Sequence, residues 1–270
     1  MTNSTIQRSA TAYTSSATPK LYRDPMLNAG SLLMFDFLDG YSNQNVDGAL
    51  SVGATFNNMV DGGPSASVNG AGFSSLSGKA GISGTGGSYG TDYIDFGAGA
   101  SYDLSGSNDE YLMHYWFKIP SSGYTTTSGM GLFEFMNPLA TLNLAQWGVQ
   151  LGSDGKTPEV IVAGKKADGT TATSVQVTAT SGAGQGAPCL VSQHWKPGQC
   201  GIGINGVIVS SQISTTVPSF LLGMTGGRCV LYNIAKATHY RMALEDLTVS
   251  GNNAAVQMAA EYAANASRFT

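Results

Sequence analysis

The sequence predicts an all-β fold, an antiparallel two-sheet sandwich closed by one short C-terminal α-helix. Three observations carry that expectation. Short apolar segments recur from Ser31 onward, separated by clusters of Gly, Asn, Asp and Ser, which is the spacing of a many-stranded antiparallel fold. Asn205-Gly206 lies between Gly201-Ile202-Gly203-Ile204 and Val207-Ile208-Val209, and this dipeptide tolerates the two positive φ angles of a type I′ hairpin turn. The period then changes in 254–264, which is rich in Ala and preceded by Asn252 and Asn253, either of which can cap a helix of about three turns.

The segments follow in order. Residues 31–37 form the first expected strand, 50–56 the second and 93–96 the third, with the Gly/Ser-rich stretch 70–90 read as loop. Residues 110–119 give the clearest strand: Tyr111, Met113, Tyr115, Phe117 and Ile119 share one face, and Leu112, His114 and Trp116 share the other. Apolar groups on both faces place it centrally, covered on both sides. Residues 132–136 and 146–151 come next, and Ser153-Asp154-Gly155 supplies turn chemistry for a hairpin into Val160, Ile161 and Val162. Residues 229–234 and 240–249 complete the set. Leu247 and Val249 fall out of phase with Tyr240, Met242 and Leu244, so a bulge or bend is expected near Asp246. The helix carries Glu261 as its only charge and should lie against the sandwich or another subunit.

Residues 1–28 are set apart as an N-terminal arm, rich in Ser and Thr and without a hydrophobic period; Thr18-Pro19-Lys20 and Asp24-Pro25 disfavour helix. The arm is either disordered or extended over a neighbouring subunit, and residues 29–270 form one sandwich domain that includes the helix. A charged fraction of 11% is far below the roughly 25% usual in soluble domains. The resulting neutral surface points to assembly, and a homo-oligomer is expected. A net charge of −4 without a Lys/Arg cluster leaves no footprint for nucleic acid. No stretch approaches 18 consecutive apolar residues, and Met1-Thr2-Asn3-Ser4-Thr5 lacks the basic and apolar regions of a secretory signal. Cytosolic synthesis with no membrane partner is therefore expected, and the sequons at Asn3 and Asn265 then carry no glycan. Cys189, Cys200 and Cys229 are odd in number and lack CxxC spacing, so they read as buried free thiols.

Catalytic patterns are sought and not found. Gln150-Leu151-Gly152-Ser153-Asp154-Gly155-Lys156-Thr157 ends like a phosphate-binding loop, but the first glycine is replaced and Pro158-Glu159-Val160 opens a strand where a helix is needed. A β-turn is expected there. Gly84, Gly86, Gly87 and Gly90 have the wrong spacing for a dinucleotide fingerprint. His114, His194 and His239 are scattered singly, and His114 reads as a satisfied imidazole within the central strand. Glu245 and Asp246 point to opposite faces, and Glu134 stands alone between Phe133 and Phe135, so no strand offers the paired carboxylates of a glycosidase. Asp36, Asp39, Asp92 and Asp95 could ligate calcium, but without EF-hand spacing they read as solvated turn residues. No catalytic, cofactor or metal residue is assigned, and no enzyme is expected.

Read in order, the segments resemble the concanavalin-A-like, laminin-G-type jelly-roll domains across most of the chain. Leu33-Met34-Phe35-Asp36-Phe37 is similar to the family's opening strand, and Asp92-Tyr93-Ile94-Asp95-Phe96 to its short second-sheet strand. Residues 110–120, from Glu110 to Pro120, resemble its aromatic-rich central strand. Trp195 followed by the Asn205-Gly206 hairpin resembles its paired strands, and Ala243-Leu244-Glu245-Asp246-Leu247-Thr248-Val249 its last strand before a short helix. The resemblance implies a jelly-roll sandwich and leaves lectins, adhesion modules, glycosidases and virion proteins open. Together with the neutral surface and polar arm, the expectation is a non-enzymatic bacteriophage virion protein, a capsid decoration or tail/fibre module that contacts other virion proteins through the arm. The alternative is a glycan-binding module for the host surface, with Tyr89, Tyr93, Tyr102 or Tyr124 stacking on sugar rings, although packing is the commoner role for such tyrosines. A polysaccharide-degrading enzyme ranks third.

Overall fold

The computed structural model describes residues 24–86, 91–98, 102, 104, 109–124, 130–136, 146–165, 172–179, 183–214, 228–233 and 236–269. The strands are β1 (Ser31–Asp36), β2 (Gly48–Ala49), β3 (Thr55–Phe56), β4 (Ala66–Asn69), β5 (Phe73–Ser75), β6 (Ile82–Gly84) and β7 (Tyr93–Ala98). They continue as β8 (Tyr111–Lys118), β9 (Met130–Met136), β10 (Gln146–Leu151), β11 (Pro158–Lys165) and β12 (Ala172–Thr178). After these come β13 (Cys189–Lys196), β14 (Gln199–Ile204), β15 (Val207–Ile213), β16 (Arg228–Tyr232) and β17 (Thr238–Asp246), then helices α1 (Leu247–Ser250) and α2 (Ala254–Asn265).

Two antiparallel sheets result. A nine-stranded sheet runs β15-β14-β13-β8-β17-β6-β5-β2 with β1 also on β17, and an eight-stranded sheet runs β12-β11-β10-β9-β16-β7-β4-β3. The alternation that marked 110–119 sends Tyr111, Met113, Tyr115 and Phe117 between the sheets, while Leu112 and Trp116 face outward under the C-terminal segment. Aromatic rings bridge the layers: Phe35 meets Phe96 at 4.8 Å, Phe96 meets Phe133 at 5.8 Å, and Phe133 meets Tyr115 at 5.9 Å. Each such pair adds about 1 kcal/mol beyond the area it buries.

The hairpins follow their turn chemistry. Asn205 (φ 50°) and Gly206 (φ 84°) join β14 to β15. The turn between β10 and β11 closes on Asp154, whose carboxylate accepts from the Lys156 and Thr157 amides at 2.9 Å, so the phosphate-loop likeness is a turn. Other expectations are corrected. Residues 50–56 are not one strand: Gly53 adopts φ 84° and the Ala54 amide closes a turn on the Ser51 carbonyl, so only Thr55–Phe56 is strand, on the eight-stranded sheet, and β2 on the other sheet ends before the turn. The stretch 70–90 holds β5 and β6, because Phe73 and Ile82 anchor it in the core. β2, β4, β12 and β13 have no counterpart among the expected strands. The phase slip near Asp246 is the end of β17: the Asp246 side chain accepts from the Thr248 and Val249 amides and starts α1, so two helices close the chain instead of one. The bulge on β17 lies between His239 and Arg241.

α2 is capped by Asn253, whose side chain accepts from the amides of Ala255 and Val256, and it lies on the outer face of the nine-stranded sheet. Its one charge is the reason. Glu261 is fully buried and its Oε1 accepts from Arg241 Nε at 2.9 Å, Trp116 Nε1 at 3.0 Å and Asn265 Nδ2 at 2.9 Å. Arg241, itself buried, also binds Asp24 through two bonds of 2.8 and 3.0 Å and Asp36 at 3.1 Å, and Arg268 reaches Asp36 at 2.7 Å. Burial works against Arg241's charge, but the surrounding carboxylates hold its pKa above the ordinary value. One guanidinium thus ties the segment before β1, β1 itself and α2 to β17. Residues 24–28, expected as the end of the arm, are accordingly packed on the sandwich, with Leu27 buried against Met34 and Met59; residues 1–23 lie outside the described residues.

One core residue breaks the apolar pattern. Gln193 shares the inward face of β13 with Val191 and Trp195, is fully buried, and has no hydrogen-bond partner for either amide atom among the described residues. Substitution by methionine keeps the volume and removes the desolvation cost, so Gln193→Met should raise stability by about 1 kcal/mol, read as a higher urea midpoint. A lowered midpoint would mean that the amide is satisfied within the core.

Candidate functional site

The two outer faces of the sandwich differ. Both helices cover the nine-stranded sheet, and among the described residues no helix lies on the eight-stranded one. Strand pleat decides what this second face presents. Ile94, Phe96, Phe133, Phe135, Trp147, Val149, Val160 and Val162 turn inward, so the alternate positions turn outward, and these are mostly polar.

Across one row the register runs Asn69, Tyr93 and Tyr232; beyond a register shift between Val149 and Gln150, a separate row runs Gly131, Gln150, Glu159 and Thr178 on β9 to β12. The neighbouring row runs Ser67, Asp95, Val230, Glu134, Gly148, Ile161 and Gln176. The middle of the face is tightly bonded, with Tyr93, Tyr232 and Glu134 buried and Asn69 exposed. Asn69 Nδ2 donates to the Tyr93 hydroxyl at 2.5 Å, and the Tyr232 hydroxyl donates to Glu134 Oε2 at 3.1 Å. Two glycines make room for this pair: a Cβ at Gly131 would lie 2.7 Å from Glu134 Oε1 and 3.1 Å from the Tyr232 ring, and one at Gly148 would lie 2.6 Å from Glu134 Cγ. Toward β12 the face opens. Gln150 donates to Glu159 Oε2 at 3.0 Å, both half-buried, while Gln176 and Thr178 are exposed beside the half-buried Ile161.

This platform offers two amides, a carboxylate and a hydroxyl around one small apolar patch. Amides both donate and accept, and a carboxylate accepts at two oxygens, which matches adjacent hydroxyls on a sugar ring. Sequence reading missed it because Gln150, Glu159, Gln176 and Thr178 are spread over 29 positions on three strands. Only the pairing of β10, β11 and β12 brings them together. Glu134 was visible as a charge between two phenylalanines, but its partner Tyr232 lies 98 residues away.

The tyrosines named as sugar-stacking candidates do not supply loop platforms. Tyr102 is fully buried, its hydroxyl donating to the Phe96 carbonyl at 2.9 Å, and burial drives its pKa well above the ordinary value. Tyr93 sits on β7 with its ring buried, Tyr124 packs partly buried against the core, and Tyr89 lies outside the described residues. The aspartates considered for calcium are dispersed among separate tasks: Asp36 in the Arg241 cluster, Asp39 accepting from the Tyr41 and Ser42 amides, Asp92 from Ala71 and Asp95 from Gly97. Among the described residues no group of three His, Cys, Asp or Glu side chains is placed to hold a metal ion.

The histidines are structural partners. His114 Nδ1 meets Ser192 Oγ at 2.8 Å and His239 Nδ1 meets the Tyr115 hydroxyl at 2.6 Å; burial lowers the pKa of each to about 3. His194 pairs with Glu110 at 2.6 Å, yet burial outweighs the carboxylate and its pKa is lowered too. Cys189, Cys200 and Cys229 are free and buried, and burial pushes Cys189 up to about 12 and Cys200 up to about 11. None is a nucleophile at neutral pH.

No family model matches the chain, and no curated protein matches it by sequence. Solved structures match by fold. The botulinum neurotoxin serotype G binding domain aligns with a TM-score of 0.51 at 12% identity, over 88% of this chain and 51% of that one. Trypanosoma rangeli sialidase aligns with a TM-score of 0.55 at 10% identity, over 94% of this chain and 37% of that one. The receptor binding domain of botulinum neurotoxin D aligns with a TM-score of 0.53 at 11% identity, over 87% and 53%. The chain thus spans about half of the first and third and a little over a third of the second. These likenesses establish a jelly-roll-like β-sandwich.

Proposed function

We propose that the chain is a non-catalytic, concanavalin-A-like glycan-binding module whose ligand lies on the outer face of the eight-stranded sheet. The observation that carries this reading is the Gln150, Glu159, Gln176 and Thr178 platform, half-buried at the first two and exposed at the last two, a cluster of sugar-compatible groups mounted on paired strands. Beside it the buried Glu134, Tyr232 and Tyr93 and the exposed Asn69, bonded in two pairs across two adjacent rows, stiffen the sheet. The fold adds support: one structure of this architecture, the binding domain of botulinum neurotoxin DC, is in complex with SialylT.

The test is the full chain on a glycan array, with release of sugars from the bound glycans measured in parallel. Retention without turnover is expected. An array with no hit at high ligand density overturns the binding reading, and sugar release overturns the non-catalytic one. Gly131→Ala gives a finer test: its methyl group meets only side-chain atoms, those of Glu134 and Tyr232, so it should weaken glycan retention several-fold by shifting this pair while costing about 1–3 kcal/mol in stability. Unchanged retention would separate the pair from the site.

Particle assembly in a phage is a separate proposal, supported by the low charge and the polar N-terminal segment. Its test is whether a chain lacking residues 1–23 still enters particles; full occupancy would overturn a role for that segment.

A further inference from the structure

The platform on the eight-stranded sheet has a sign as well as a shape. On β11, Glu159 and Ile161 stand two positions apart, about 7 Å along one face. Thr178 lies opposite the first and Gln176 opposite the second, while Gln150 and Gly148 hold the same two levels on β10. Ile161 is half-buried between a glycine and an exposed amide, so a sugar ring that rests its C–H face there keeps Glu159 within reach of its substituents.

The Glu159 carboxylate is held on one side only. Its Oε2 accepts from Gln150 Nε2 at 3.0 Å, and among the described residues no donor reaches Oε1 and no lysine or arginine pairs with either oxygen. Gly152 allows this placement, because a Cβ there would lie 2.6 Å from Oε1. The row of Ile161 adds Glu134 and Asp95, of the same sign. The cations that strand register brings to this sheet are distant. Lys165 stands six positions along β11, and Arg228 three strands across and four positions along, each about 20 Å from Glu159 by strand spacing. Lys156, in the turn between β10 and β11, leans toward the segment after β8: its Cγ would lie 2.5 Å from a Cβ at Gly123.

Resting on the glycan reading above, we propose that Glu159 selects the ligand by charge: the platform takes neutral glycans and rejects those whose terminal sugar carries a carboxylate, such as a sialic or uronic acid. A hydroxyl beside Glu159 donates to Oε1 and completes the hydrogen bonding of the carboxylate. A ligand carboxylate in the same place meets a like charge within one Debye length, about 8–10 Å at ordinary salt, with no cation near enough to offset it. Specificity then comes from repulsion of the wrong ligand as much as from attraction of the right one.

The test is an array of matched pairs, each neutral oligosaccharide beside its terminally sialylated form, probed with the full chain at low salt and at 1 M, where the Debye length falls to about 3 Å. At low salt the neutral members should be retained about tenfold or more over their sialylated partners, and the ratio should shrink several-fold at 1 M. Glu159→Gln should bring the low-salt ratio toward one, whatever it does to neutral affinity, and the salt comparison reads the same electrostatics on the unaltered chain. Sialylated members retained as well as the neutral ones overturn the charge selection and leave the glycan reading standing. Retention of neither overturns both. A preference for the neutral members that ignores both salt and Glu159→Gln is one of shape, and it overturns the role given to Glu159.

Discussion

Arg241→Met should destabilise the fold by about 3–5 kcal/mol, the usual cost of removing one partner from a buried charge cluster. The wild-type side chain is fully buried and contacts three carboxylates, those of Asp24, Asp36 and Glu261. Methionine fills much of the space but leaves those groups to share Arg268, whose side chain reaches only Asp36. Glu261 would suffer most. Burial already raises its pKa, opposed chiefly by Arg241, so without the guanidinium it would take up a proton and loosen α2. Equilibrium urea unfolding checks the loss. Asp24→Asn should cost less, because Asp24 is the most accessible of the three carboxylates, and its effect should appear as faster proteolysis at Arg23 more than as a lower midpoint. A change below about 1 kcal/mol for Arg241→Met would show that the cluster contributes little beyond its own desolvation.

Acid should unfold the protein well above the pH at which its carboxylates titrate. His114 and His239 are neutral in the fold, with pKa values lowered by burial to about 3 from 6.5. In the unfolded chain both bind protons below about 6.5. Between those limits the unfolded state holds more protons, so stability falls as pH falls, and two such groups give about 2.7 kcal/mol per pH unit in mid-window. His194, also lowered, acts in the same direction. Asp24 adds to the loss at lower pH: burial raises its pKa, but the Arg241 hydrogen bonds and charge outweigh this and leave it lowered, so its contribution disappears as pH falls through that value. Glu261, with a raised pKa, works the opposite way and is one group against several. Urea midpoints between pH 7 and 4 give the slope, and His114→Gln with His239→Gln should flatten it. A curve already flat in the wild type would contradict neutral burial of these histidines.

What was legible in the sequence follows from the range of the physics involved. β8 and the Asn205-Gly206 hairpin are set by neighbours two to four positions apart, and both form where alternation and turn chemistry put them. α2 was legible from its alanines and the adjacent Asn252 and Asn253, and its apolar composition placed it against the sandwich or another subunit, but which Asn caps it and that Glu261 is buried came only from the structure. β5 and β6 were hidden because three-residue strands carry too few alternations to show a period, and Phe73 and Ile82 register as isolated apolar residues among glycines. α1 was hidden by a composition suited to a strand, which the Asp246 cap overrides. The outward face of the eight-stranded sheet was least legible. Its groups converge only through the pairing of β10, β11 and β12, and polar residues at alternate strand positions look alike whether they meet a sugar or water.

The reading therefore rests on that face, and one measurement addresses it most directly. The full chain is titrated with the oligosaccharide that ranks first on the array, in parallel with Glu159→Ala, Gln176→Ala and, as a control on the opposite sheet, Ile208→Lys. Glu159→Ala and Gln176→Ala should each weaken binding by about tenfold or more, the worth of one hydrogen bond to a charged or amide group, while Ile208→Lys leaves affinity unchanged and all four proteins keep the same fold by circular dichroism. Equal affinity across the four would place the ligand elsewhere and contradict the account.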